Sequence, residues 1–124
     1  MHDARTALHA AWLQERAAAK ADKALDDAQA EWGHLERAHV LSQPMAVPHL
    51  RTHAAMLGFA VRNRDRREMV GQLLRLVVAG PGSLTGRFPV GNTGGADVSA
   101  FRVMPIPDDL RAVLDDASHD KENV

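Results

Sequence analysis

The sequence predicts an all-α fold of antiparallel helical hairpins, closed by an extended C-terminal strap and a short terminal helix. Three observations carry this. Up to about residue 79 the chain is dominated by Ala, Leu, Glu, Lys and Arg, with little Gly or Pro, a composition of high helix propensity. Within that stretch apolar residues recur at helical spacing, separated by short polar links. From Gly80 onward Gly, Pro, Ser and Thr become frequent, which favours turns and extended backbone.

The first helix is expected over residues 3–20, where Ala4, Ala7, Leu8, Ala11 and Trp12 share a face. Ala21-Asp22 marks a turn, with Asp22 as the N-cap of a second helix over 23–41. Leu25, Ala28, Trp32, Leu35 and Val40 form its apolar face. Ser42-Gln43-Pro44 then reverses the chain. A third helix over 47–62 carries Pro48 in its first turn and His49, His53, Met56, Leu57 and Ala60 on one side. Asp65 and Glu68 have capping-box spacing for a fourth helix over 66–79. Met69, Leu73, Leu76 and Val77 are its expected inward face, and Gly80-Pro81-Gly82 its stop.

Residues 80–106 are expected to lie as a strap over the bundle, held by Phe88, Val90, Val98, Phe101, Val103, Met104 and Ile106. Pro107-Asp108-Asp109 starts a short helix over 107–116, and 118–124 read as a disordered tail. Residues 1–117 thus read as one domain. Ala54, Leu57, Gly58, Val70, Leu74 and Val77, followed by Pro81, resemble the tetratricopeptide repeat, whose aromatic positions are absent here. That resemblance implies tetratricopeptide-like hairpin packing.

Composition narrows the function classes. Fifteen basic and sixteen acidic residues leave no electrostatic footprint for nucleic acid or an acidic membrane. With no cysteine, disulfides, thiolate metal sites and thiol nucleophiles are excluded. Met1-His2-Asp3-Ala4-Arg5 opens a charged amphipathic segment, and the strongest apolar run, Leu73–Ala79, contains Arg75 and is too short to span a bilayer. A soluble cytoplasmic protein is the expectation.

Seven histidines are many for 124 residues, and four side chains can be brought to one point by helix arithmetic. Glu36 and His39 are one turn apart, as are His49 and His53. In a hairpin turning at Pro44, His39 and His49 are equidistant from the turn, and Glu36 and His53 nearly so. Glu36, His39, His49 and His53 therefore form a candidate site for a divalent transition metal, with zinc or iron the best matches to imidazole and carboxylate ligands. By the same levels Asp3 is a candidate outer acceptor or extra ligand. Gln72 and Arg75 fall level with Met56 and His53, while Glu68 lies further down. The bland alternative is a set of hydrogen-bonded helix-interface histidines, with Glu36 orienting His53.

Other patterns weigh less. Glu31 and His34 form a rival Glu-x-x-His pair on a different face, but two such motifs on one helix is the wrong arrangement for a di-iron bundle. Gly91-Asn92-Thr93-Gly94-Gly95 can present N–H groups to an anion with Arg87 nearby. It reads more simply as a reversal with Asn92 or a glycine at positive φ. Met104-Pro105-Ile106-Pro107 reads as an extended strap. The serines lack a base at motif spacing, and Arg62, Arg64, Arg66 and Arg67 form a basic corner without stacking aromatics.

Taken together, His34-Leu35-Glu36-Arg37-Ala38-His39, His49, His53, Gly71-Gln72, Pro89–Gly95 and Met104–Leu110 resemble an uncharacterised bacterial family marked by the Gly-Asn-Thr-Gly-Gly and Met-Pro-Ile-Pro motifs. The resemblance covers about residues 31–114 and implies a metal-related role without specifying a metal. The sequence reading is a small metal-binding protein of metal homeostasis or resistance. Its rivals are a helical interaction scaffold with a protein partner, and a small metal-dependent enzyme.

Overall fold

A computed structural model describes residues 3–85, 92–96 and 103–122, with side chains described for 3–76, 92–96 and 103–120. The described residues form five helices and no strand: α1 (Ala4–Ala24), α2 (Ala28–Ser42), α3 (Ala46–Arg62), α4 (Arg66–Thr85) and α5 (Asp108–Glu122). The fold is all-α. α1 packs along α2, α2 against α3, α3 along α4, and α5 against α1 and α2.

Local chemistry explains the boundaries. Asp3 caps α1 by accepting from the Arg5 N–H, and Asp27, rather than Asp22, caps α2 by accepting from Ala30. α1 therefore continues through Asp22 to Ala24. Asp65 caps α4, accepting from the Glu68 N–H at 3.1 Å. α4 does not stop at Gly80-Pro81-Gly82 but runs to Thr85. A proline there forfeits one helical hydrogen bond without ending the helix. α5 takes in residues 117–122, beyond the expected end at 116.

Two buried clusters hold the bundle. Leu8, Trp12, Ala38, Val40, Leu41, Leu110 and Ala117 join α1, α2 and α5, with Ile106 packed against them. Ala19, Leu35 and Met56 join α1, α2 and α3, with Trp32 and Phe59 alongside. The Trp12 indole N–H donates to Thr52 Oγ1 at 2.9 Å, and that hydroxyl donates to the Pro48 carbonyl at 2.8 Å, so neither polar group is buried unpaired.

α4 is rotated from the face its apolar residues suggest: Met69 and Leu76 of the expected set are half-buried, but the most buried positions are polar. Glu68 and Gln72 are buried, whereas Val70, Leu73 and Leu74 are 59%, 57% and 61% exposed. The inward expectation for Leu73 is thereby corrected. The reason is polar: this side of α4 faces buried histidines, whose ring N–H groups need acceptors. Of the strap, Met104 and Ile106 are half-buried. Phe88, Val90, Val98 and Phe101 lie outside the described residues.

Candidate metal centre

The link Gln43–Met45 sets His39, on the last turn of α2, opposite His49 and His53, which are stacked one turn apart on α3. The link is tight: Ser42 Oγ–H donates to the His39 carbonyl at 2.9 Å, and Met45 N–H to the Ser42 carbonyl at 2.8 Å. The three Nε2 atoms form a triangle whose edges are all 3.1 Å. The residues are 3%, 7% and 2% exposed in chain order. Among the described residues this is the one group of three or more His, Asp or Glu side chains arranged to hold a metal ion.

The outward nitrogens fix the rings. His39 Nδ1–H donates to the Asn92 carbonyl at 2.6 Å, and His53 Nδ1–H to Gln72 Oε1 at 2.6 Å. Both acceptors are unambiguous. A backbone carbonyl cannot donate, and the Gln72 amide is oriented by its own nitrogen, which donates to Glu68 Oε2 at 3.0 Å and the Gly94 carbonyl at 2.6 Å. In the neutral rings, then, the Nε2 atoms of His39 and His53 carry lone pairs and no hydrogen. Two lone pairs facing at 3.1 Å repel unless a cation lies between them.

Protonation is a poor solution at neutral pH. Burial pushes all three imidazoles below their ordinary range: His39 well below it, His49 to about 4, and His53 in the same direction. Mutual repulsion adds to the effect at His39 and His49. At His53 the Gln72 hydrogen bond opposes the shift and the Arg75 charge reinforces it. The result is a set of neutral nitrogen donors, the form that binds metal.

The triangle fits an ion. Nitrogen–metal distances of about 2.0–2.1 Å would be compatible with edges of 3.1 Å, so His39, His49 and His53 could hold an ion.

The segment 92–96 forms one wall. Asn92 is 2% exposed, and its Oδ1 accepts the Gly94 N–H at 2.9 Å, which closes an Asx turn. Gly94 has φ +83°, and a Cβ there would lie 2.5 Å from His39 Cδ2. Only glycine allows this approach. Gly71 serves the same wall, since a Cβ on it would meet the Ala96 Cβ at 2.4 Å. Ala96 N–H donates to Glu68 Oε1 at 2.5 Å, and an Arg75 guanidinium N–H donates to the Gly94 carbonyl. Within the described residues of that stretch the expected glycine at positive φ is Gly94, and it also bears directly on a histidine ring.

Glu36 is half-buried one turn before His39 and is not one of the group. Asp3 is exposed and occupied as the α1 cap. The rival pair diverges: Glu31 makes a two-pronged ion pair with Arg62, while His34 bonds Glu15 at 2.7 Å. Gln72 was level-matched from sequence, but Glu68, Asn92 and Gly94 were not assigned to the site. The available signals were the Glu68-x-x-x-Gln72 pair, one turn apart on α4, and the Asn-x-Gly turn.

A family model described as "Protein of unknown function (DUF3703)" matches residues 6–114. The chain belongs to this family. The match spans the three histidines, Glu68, Gln72 and the 92–96 wall, so the whole centre lies inside the DUF3703 region. No curated protein and no solved structure gives a match. No helix among the described residues of this DUF3703 chain is long and apolar enough to cross a membrane.

Proposed function

We propose that this DUF3703 chain is a metal-binding protein whose His39, His49 and His53 hold a divalent transition metal, zinc or iron being the best chemical matches. Glu36, one turn before His39, is kept in the proposed ligand set on the sequence pattern alone. The role we assign to it is metal homeostasis or resistance, in line with the metal-related role that the family resemblance implies. The observation that carries the reading is the His39–His53 edge, where both outward N–H groups are committed and two bare lone pairs face each other. Outward hydrogen bonds of this kind orient metal-ligating imidazoles generally.

The test is elemental analysis of protein purified without nickel columns or chelators, with His39→Ala and His53→Ala alongside and helicity checked by circular dichroism. About one equivalent of metal is expected in the parent, as for a single three-nitrogen site, and a clear loss in each variant. Equal metal content in folded variants, or none in the parent after dialysis against zinc, rejects the reading. The exposed apolar stripe Val70, Leu73 and Leu74 on α4 keeps a second reading in view, a tetratricopeptide-like surface for a protein partner. The same parent protein without metal would favour it.

A further inference from the structure

A cleft of about 230 Å³ lies between α1, α5 and the link from α2 to α3, and none of the three clustered histidines lines it. Its floor is apolar. Leu8 and Ala117 are buried in the first core cluster, and Met45 and Leu114 pack against that cluster. Its rim is polar. Arg5 and His9 share the α1 face with Leu8, and Ser118 stands one turn beyond Leu114 on α5. All three rim residues are exposed, so the cleft opens to solvent.

The rim carries positive charge. The Arg5 guanidinium has no hydrogen bond or ion pair among the described residues, and only its backbone N–H is engaged, by Asp3. The nearby carboxylates are committed elsewhere. Asp3 and Asp120 accept from the Arg5 and Ala4 N–H groups, at the positive end of the α1 dipole. The His9 ring, beside that of Trp12 at 5.4 Å, adds a ring N–H donor. We propose that this cleft binds a small amphipathic carboxylate, with its apolar chain on Leu8, Met45 and Leu114 and its charged end on Arg5. The volume has room for about eight non-hydrogen atoms, at roughly 30 Å³ each as for water in the liquid. Hexanoate is of that size. The inference goes beyond the metal reading and does not rest on it.

The experiment titrates the full chain with sodium hexanoate and, separately, with hexanol and sodium acetate, followed by amide NMR. Saturable shifts with hexanoate are expected at the amides of Arg5, Leu8, His9, Met45, Leu114 and Ser118. Hexanol, which lacks the charge, should bind about fivefold more weakly, the upper worth of one exposed ion pair. Acetate, which lacks the chain, should not saturate. Arg5→Met should weaken hexanoate by about the same factor and leave hexanol unchanged. Ser118→Phe, which fills the cleft from an exposed position, should abolish both, and its spectrum reports at once whether the fold is kept. Hexanoate that fails to saturate, or that binds no better than hexanol, overturns the proposal. So does hexanoate affinity unchanged in Arg5→Met. Shifts confined instead to the amides around His39, His49 and His53 would place the carboxylate at the histidine centre and overturn the cleft site alone.

Discussion

Gln72 does three jobs with one amide: it accepts the His53 Nδ1–H, and it donates to Glu68 and to the Gly94 carbonyl. Replacing it by leucine keeps the bulk and removes all three bonds. Loss of an outer partner of a metal-ligating histidine weakens binding roughly 10–100-fold, so Gln72→Leu should show that drop in a competition titration against a chromophoric chelator. Stability should fall with it by about 1–3 kcal/mol, because a buried ring N–H and a buried carboxylate oxygen lose their partner. An unchanged metal affinity would mean that His53 is oriented by something else. Gly94→Ala attacks the opposite side of the site. Its Cβ would stand 2.5 Å from the His39 ring at a φ of +83°, so either the ring or the 92–96 wall must move. The cost is about 1–3 kcal/mol of backbone strain, and metal affinity should fall together with Tm. Gly58→Ala is the matched control. It is helical with nothing within 4 Å of the added carbon, and should raise stability by about 0.5–1 kcal/mol.

Two of the helix–helix links have one design. Two residues beyond the ends of α1 and α3 stand residues in the left-handed region, Asp26 and Arg64, each at φ 56°. In both links the following N–H bonds back five residues, Asp27 to the Asp22 carbonyl and Asp65 to the Ala60 carbonyl, each at 2.9 Å. Glycine is the residue that pays least for this conformation. Asp26→Gly and Arg64→Gly should each stabilise by a few tenths to about 1 kcal/mol, read as a rise in the urea midpoint at constant slope. A fall would show that the Asp26 or Arg64 side chain contributes more than its backbone costs. Neither positive φ was legible from sequence, because no glycine marks either position. The helices themselves were legible, from composition and from caps such as Asp65. The inward face of α4 was legible only in part, at Met69 and Leu76. Periodicity assigns Leu73 to the core, whereas hydrogen-bond demand from His53 turns Gln72 and Glu68 inward instead. Glu68 has capping-box spacing but spends its carboxylate on Gln72 and Ala96. The three histidines were legible because a short link with known spacing fixes their relative levels. The Asn92 contact joins residues 53 apart in the chain, and no local pattern reaches that far.

At the scale of the molecule the centre ties α2, α3, α4 and the 92–96 wall into one polar unit, so its protonation is linked to folding. Burial depresses the three imidazoles in the native state, His49 to about 4, whereas in the unfolded chain they return to about 6.5. Between those values the unfolded chain binds protons that the native protein does not. Stability of the metal-free protein therefore rises with pH across this window and is fully present above about 6.5. As pH falls from there toward 4 it is lost, at about 1.4 kcal/mol per pH unit for each histidine that stays neutral in the native state. Tm of chelator-treated protein should drop steadily over that range. His49→Gln removes one of the protons taken up on unfolding, so its Tm should fall less steeply. Zinc present at a hundredfold excess over Kd should add about 2.7 kcal/mol, a gain that holds while the native imidazoles stay neutral and shrinks once they take protons at still lower pH. A metal-free Tm that stays flat or rises between pH 6.5 and 4.5 would show that these imidazoles are already protonated when folded, and an ion would then have no lone pairs to bind.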